Sequence, residues 1–234
     1  MSTGFEWTDD THWALMVGAS NQVKHILGLP IVNDPGSVWN YDTGGTHLLS
    51  AILQKQYRNT SLDFAEKFLF SKIGITRYSW SDDNQGINYG GHGIYMSTRD
   101  MARLGYLYLN NGTWDGEQIV SSEWVKDSSQ PAWNLGGGWG YGYLWWLRTN
   151  LNFYSARGRY EQEIYVLPDQ DIVVAITSNI APGTYNPDYI IEEYIIPAIT
   201  DEASYPFMFV SFVGLAILAK SLSRLQKSKR NVKS

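Results

Sequence analysis

The stretch Trp39-Asn40-Tyr41-Asp42-Thr43-Gly44-Gly45-Thr46-His47-Leu48-Leu49 sets a tyrosine on a short turn directly ahead of a helix. Leu48, Leu49, Ile52 and Leu53 recur at helical spacing, which predicts an apolar stripe, and Thr43 or Thr46 can cap the first turn. A phenol fixed at the mouth of a buried helix can shuttle a proton if a neighbouring cation lowers its pKa. The chain holds 16 tyrosines, and most tyrosines simply pack, so this turn needs support from elsewhere in the sequence.

Upstream of the turn, residues 1–7 have neither a basic start nor an apolar run, so they are not a signal peptide. Residues 11–29 read as partly helical, with Trp13, Met16, Val17, Val23, Ile26 and Leu27 at the apolar positions. Pro30 and the Asn33-Asp34-Pro35-Gly36 cluster break that pattern into a loop. Downstream, 61–70 is a second amphipathic helix, and 71–93 is irregular and rich in Gly, Asp and Asn. A helix opens at Ser97-Thr98-Arg99-Asp100 with Met101, Leu104, Leu107 and Tyr108 on its apolar face, and ends at Asn110-Asn111-Gly112. Residues 119–127 suggest one more short helix.

The pattern changes after Gly136-Gly137-Gly138. Runs at 141–147, 152–157, 163–167 and 172–178 are β-rich and separated by turn-length gaps, which implies an antiparallel meander. A helix at 188–199, carrying Ile191, Tyr194, Ile195 and Ile196, is expected to lie on that sheet. The fold class is therefore α+β, with a helical region at 1–127.

Composition excludes several functions. The 234 residues contain no cysteine, which removes disulfides, thiolate metal sites and a cysteine nucleophile. His12, His25, His47 and His92 show no paired metal spacing, and no glycine-rich loop has a phosphate-binding context, so neither metal nor cofactor is expected. The net charge of -5 conceals an asymmetry. Lys220, Arg224, Lys227, Lys229, Arg230 and Lys233 take six of the 18 basic residues, leaving 12 against 23 acids and a body near -11. So acidic a body is a poor nucleic-acid binder.

The C-terminal run includes Phe207-Met208-Phe209-Val210, Phe212-Val213 and Leu215-Ala216-Ile217-Leu218-Ala219. With Lys220 snorkelling, it predicts a transmembrane helix over 203–222, although the apolar run itself is slightly short of the ~20 residues a span needs. The basic residues beyond it predict a cytoplasmic tail at 223–234, with the globular part outside the cell membrane.

A further set of segments carries a resemblance. They are Met1-Ser2-Thr3-Gly4-Phe5-Glu6-Trp7, Pro35-Gly36-Ser37-Val38-Trp39-Asn40-Tyr41, Thr46-His47-Leu48-Leu49-Ser50-Ala51-Ile52-Leu53 and Leu69-Phe70-Ser71-Lys72-Ile73-Gly74-Ile75. After them come Gly90-Gly91-His92-Gly93-Ile94-Tyr95-Met96-Ser97-Thr98-Arg99-Asp100, Trp114-Asp115-Gly116-Glu117, Tyr141-Gly142-Tyr143-Leu144-Trp145-Trp146 and Ser155-Ala156-Arg157-Gly158. In this order they resemble the serine β-lactamase and penicillin-binding-protein superfamily. The nearest branch is the class C-like one, with its esterases and 6-aminohexanoate-dimer-hydrolase-like enzymes.

The resemblance implies a partial β-lactamase/transpeptidase-like domain at 1–200, an antiparallel sheet beside a helical subdomain, followed by the membrane span. It implies a serine hydrolase that acylates the serine of an S-x-x-K motif, with a Y-x-N element and a K-T-G-like strand completing the site. Tyr41 would then be the general base or proton shuttle, and Thr43 would stand in place of the Asn. Ala156-Arg157-Gly158 would replace K-T-G, losing the ammonium at Ala156, and the Arg159 N–H would be one of two oxyanion donors. That points to a small-molecule ester, amide or peptide-like substrate. Glu161 stands where the branch commonly has Gly.

No lysine has a serine three positions before it, so S-x-x-K is absent. The expectation is a C-terminal fragment without acyl-transfer activity of its own, with an uncovered sheet edge and a tendency to aggregate. The alternative is a membrane-anchored binding protein on a degenerate cleft.

Overall fold

The computed structural model describes residues 1–181 and 183–200, together with the backbone of Leu215–Ala219. The chain divides into two compact units, Met1–Ser97 and Thr98–Ser234.

The first unit contains α1 (Asp9–Gly18), α2 (Gln22–Leu27), α3 (Thr43–Tyr57) and α4 (Ser61–Ala65), the last running on as a π-turn over Glu66–Phe70. A short antiparallel pair, β1 (Tyr78–Trp80) and β2 (Ile94–Met96), closes it. Trp7, Met16 and Ile26 form a small core, with Phe5, Trp13, Val17, Leu29 and Leu48 packed around them.

Helix α3 keeps Leu48 against this core but otherwise buries a different face from the expected one. Its buried residues are Thr43, Gly44, Thr46, His47 and Ser50, while Leu49 and Ile52 are each 57% exposed. Several of the buried polar atoms are paired, which lowers the cost of burying them. His47 Nε2 lies 3.1 Å from Asp83 Oδ2, and Ser50 Oγ lies 2.8 Å from Ser61 Oγ. Asp83 Oδ1 also accepts the backbone N–H groups of Gln85 and Ile87, so one carboxylate ties a loop to the helix.

The second unit begins with α5 (Thr98–Leu109), then β3 (Thr113–Trp114), β4 (Glu117–Gln118) and α6 (Ser122–Ser128). The meander follows as β5 (Trp133–Gly136), β6 (Trp139–Tyr141), β7 (Trp146–Arg148), β8 (Phe153–Gly158), β9 (Gln162–Leu167) and β10 (Ile172–Ile176). After it come α7 (Asp188–Ile190), a π-turn at Ile191–Ile195 and α8 (Ile196–Thr200), then β11 (Leu215–Ala219). The seven strands from β5 to β11 form one antiparallel sheet in the order β11-β10-β9-β8-β7-β6-β5. This is the α+β architecture expected of the meander.

The two faces of the sheet are covered differently. Helix α5 packs on β9 and β10, so closely that a Cβ on Gly105 would sit 2.5 Å from Val173 and 2.8 Å from Ile164. On the opposite-parity positions Phe153, Tyr165, Leu167, Val174 and Ile176 form a core with Ile191. Two ion pairs dock the C-terminal helix there. Arg157 Nη2 reaches Asp188 Oδ1 at 2.6 Å, and Arg148 donates to Glu192 Oε1 through Nε at 3.0 Å and Nη2 at 2.7 Å. Asp188 and Glu192 are four residues apart, hence on one helical face. Both guanidinium groups also lie against the Trp139 ring, at 4.7 and 4.8 Å.

The membrane expectation is corrected here. Among the described residues no helix is long and apolar enough to cross a membrane. Leu215–Ala219, taken from inside the expected 203–222 span, pair instead with β10 from Ile172↔Ala219 to Ile176↔Leu215. The expected single-pass helix, cell-membrane location and outward-facing body are thereby overturned. The physical reason is that a five-residue apolar run serves a strand as well as a helix, and β10 has an edge whose backbone groups need partners. The rest of that run, and the basic tail at 223–234, lie outside the described residues.

Glu163 gives the sheet a pH signature. Burial pushes its carboxyl up from 4.5 to about 8, partly offset by Arg157, with Glu161 and Asp188 adding to the rise. Between those values the folded state holds a proton that the unfolded state has released, so stability is full below about 4.5 and falls as pH rises through about 8. Glu163→Gln should flatten that part of the curve, with a smaller loss of Tm between pH 5 and pH 8 than in the wild type. An unchanged slope would contradict the assignment.

Candidate active site

Tyr41 and Thr43 belong to the first unit, and Ala156, Gly158 and Arg159 to the second. Tyr41 is half-buried and immediately precedes the N-cap of α3. That cap is Asp42, rather than Thr43 or Thr46, and its carboxylate accepts the Gly45 N–H at 2.7 Å. A carboxylate at this position answers both the orphan amides and the positive end of the helix. The other Asp42 oxygen accepts the Thr3 hydroxyl at 2.6 Å.

Thr43 is held from a second direction. Its backbone N–H and its hydroxyl both donate to Asp9, at 3.2 and 2.7 Å, and Asp9 also accepts Trp7 Nε1–H at 2.5 Å. The Asn40 side chain donates to the Trp7 carbonyl at 2.8 Å. Gly44 leaves room for this arrangement, because a Cβ there would lie 2.6 Å from the Trp7 ring. The turn carrying Tyr41 is thus pinned to residues 3–9 by side chains on both sides. The sequence marks Asp42 as a capping type, but no local pattern links Asp9 to Thr43, which lies 34 positions away.

In the second unit, Ala156 and Gly158 lie on β8, opposite Ile164 and Gln162 of β9. The β7 ladder stops at the Trp146↔Ser155 pair, so in the ladders of the described residues 156–158 pair with β9 alone. Backbone groups along such an edge can receive an extended substrate. Arg157, the middle residue of the K-T-G-like stretch, is committed to Asp188, to Ser155 Oγ at 2.9 Å and to the Trp139 ring. Arg159 lies in the loop after β8, its guanidinium 5.2 Å from the Tyr160 ring. Gln162 braces that loop by donating to the carbonyls of Tyr160 and Ser178. Among the described residues no three His, Asp or Glu side chains are grouped to hold a metal ion.

The β-lactamase family model matches residues 1–192. The chain belongs to the β-lactamase family. Over 89 residues it is 25% identical to the 6-aminohexanoate-dimer hydrolase of Paenarthrobacter ureafaciens, covering 38% of this chain and 23% of that protein. Its fold is similar to that of a Bacillus anthracis protein provisionally named 6-aminohexanoate-dimer hydrolase, with TM-score 0.72, 23% identity, and coverage of 85% of this chain and 57% of that one. It is also similar to an octameric penicillin-binding protein homologue from Pyrococcus abyssi, with TM-score 0.66, 22% identity, and coverage of 84% and 53%. The chain therefore spans somewhat more than half the length of these two structures.

Membership of this family gives the loop after β8 a physical reading. Tyr160 and Glu161 both have positive φ, 64° and 62°, a left-handed conformation that costs a side-chain-bearing residue roughly 1–2 kcal/mol. A glycine at 161 would meet no such cost. Glu161→Gly should stabilise the protein by about 1 kcal/mol, read as a higher denaturant midpoint at constant m-value. An unchanged or lower midpoint would show that the Glu161 side chain contributes more than its backbone strain costs.

Proposed function

We propose that this domain supplies the proton-shuttling turn and the edge strand of a serine hydrolase that transfers acyl groups from small ester, amide or peptide-like substrates. The observation carrying this reading is the Tyr41 turn, whose neighbours Asp42 and Thr43 are tied by hydrogen bonds to Thr3 and Asp9. A phenol works as a proton shuttle only if it is pre-positioned, and this arrangement supplies that. Tyr41 is the proton carrier. Thr43, Ala156 and Gly158 contribute substrate contacts, and the Arg159 N–H is an oxyanion donor. Ala156 puts a methyl where an ammonium would grip a β-lactam carboxylate, which favours uncharged acyl donors.

The 234 residues hold no S-x-x-K, so the chain by itself lacks the nucleophile of the covalent route. A second reading is a non-catalytic binding domain on the same scaffold, favoured by the Thr43 hydroxyl being turned onto Asp9.

Two assays separate the readings. The purified chain should show no saturable hydrolysis of p-nitrophenyl butyrate above buffer, and saturable turnover would overturn the claim that it lacks a nucleophile. Fused behind the S-x-x-K-bearing part of a family hydrolase, it should gain turnover that Tyr41→Phe lowers by roughly 10²–10⁴-fold. A folded fusion that binds substrate without turnover would favour the binding domain.

A further inference from the structure

The C-terminal helix, 188–200, meets the sheet through a crowded set of charges. Arg157 Nη2 donates to Asp188 Oδ1 at 2.6 Å, and the Tyr165 hydroxyl donates to the same oxygen at 2.9 Å. Arg157 Nε donates to Ser155 Oγ and lies 3.8 Å from Glu163 Oε2, too far for a hydrogen bond. The Glu163 and Asp188 side chains are each 3% exposed. Glu163 Oε2 and Asp188 Oδ2 have no hydrogen-bond partner among the described residues. Glu163 is faced by Arg157 from β8, by Glu161 from the preceding loop, by the Tyr165 phenol along β9 and by Asp188 from the helix. Its neighbour on β10, Ile176, carries no charge. One guanidinium thus stands between two buried carboxylates, one on the sheet and one on the helix, and its single charge can neutralise only one of them.

We propose that Glu163 is a proton-controlled latch for the C-terminal helix. Protonated, it leaves Arg157 to hold Asp188, and the helix stays seated on the sheet. Ionised, it puts a second, uncompensated negative charge beneath the helix, which relieves the repulsion by leaving with Asp188. A buried carboxylate without a hydrogen-bonded partner is held neutral. Burial, opposed by Arg157, accordingly pushes the Glu163 carboxyl up to about 8. Once the helix has left, Glu163 meets water and ionises near its ordinary value of 4.5. Between those two values release expels one proton, so the ratio of released to seated helix rises roughly tenfold per pH unit from about 5 to 8 and levels off above. Release also uncovers Phe153, Tyr165 and Leu167, which pack with Ile191 in the seated state. A helix this short does not persist alone in water, so its release exposes its own amides.

Hydrogen exchange of the 234-residue chain, followed from pH 5 to pH 9 and corrected for the intrinsic rate at each pH, tests this. Protection of the 188–200 amides should fall roughly tenfold per pH unit between pH 5 and 8 and then hold steady. At every pH it should stay below the protection of the α5 amides, because the helix leaves while the rest of the sheet stays folded. Glu163→Gln should make the protection of the helix independent of pH. Glu163→Leu, which puts an apolar group in the same buried place, should do the same and covers a failure of the first variant to fold. A wild-type protection that does not change with pH, or a fall that persists in a folded variant, would overturn the latch. So would helix and α5 amides of equal protection, since the opening would then be unfolding of the whole unit.

Discussion

Two carboxylates, Asp42 and Asp9, hold the first turn of α3 from opposite chemical directions. Asp42 answers the helix amides from inside the turn, and Asp9 reaches Thr43 from a segment 34 positions earlier. Without these acceptors, the orphan amides at the helix start would have to find water. The Tyr41 residue sits immediately before this clamp, whose hydrogen bonds reach Thr3 and Asp9. The small core of Trp7, Met16 and Ile26, and the Asp83 tie to His47, hold the same helix from its buried face.

The second unit solves a different problem. Its seven-stranded sheet binds a helix on one face while, among the described residues, 156–158 of β8 pair with β9 alone. Ion pairs from Arg148 and Arg157 to Glu192 and Asp188, set around Trp139, secure the helix. Breaking one side of such a part-buried pair is costly chiefly at Asp188, whose charge would stay in a poorly solvated place. Arg157 thereby has a structural role, although it lies in the Ala156–Gly158 stretch for which a substrate-binding role was expected. The high Glu163 pKa follows first from its burial under the helix, with the neighbouring acids Glu161 and Asp188 adding to the rise.

How much of this was legible depends on the range of the interaction. The meander could be read from 152 onward because β-rich runs with turn-length gaps favour antiparallel pairing, whereas the expected run at 141–147 is split between β6 and β7 across a turn and β5 was not expected. Helix α5 was readable from its periodicity and its Ser97-Thr98 start. The β1–β2 pair was not, since three-residue strands inside a Gly- and Asn-rich loop leave no period to detect. The buried face of α3 was misjudged because its leucines and its small polar residues both recur at helical spacing, and only the Asp83 and Ser61 partners decide which face turns inward. The apolar run near the C-terminus satisfied a membrane pattern by composition, while the described structure uses its Leu215–Ala219 portion as strand β11. Tyr41 and Thr43 were identifiable as a motif, but Asp9 was not, because a hydrogen bond across 34 residues has no local signature.

The most direct measurement is hydrogen exchange at the Thr43 and Gly45 amides, read residue by residue by NMR on the wild-type chain. First-turn amides of an unsupported helix exchange nearly as fast as in a random coil. If the carboxylates of Asp9 and Asp42 hold the turn, both amides should be protected to a degree comparable with the middle of α3. Exchange of both at random-coil rates, with the rest of α3 protected, would show that the clamp is not formed in solution.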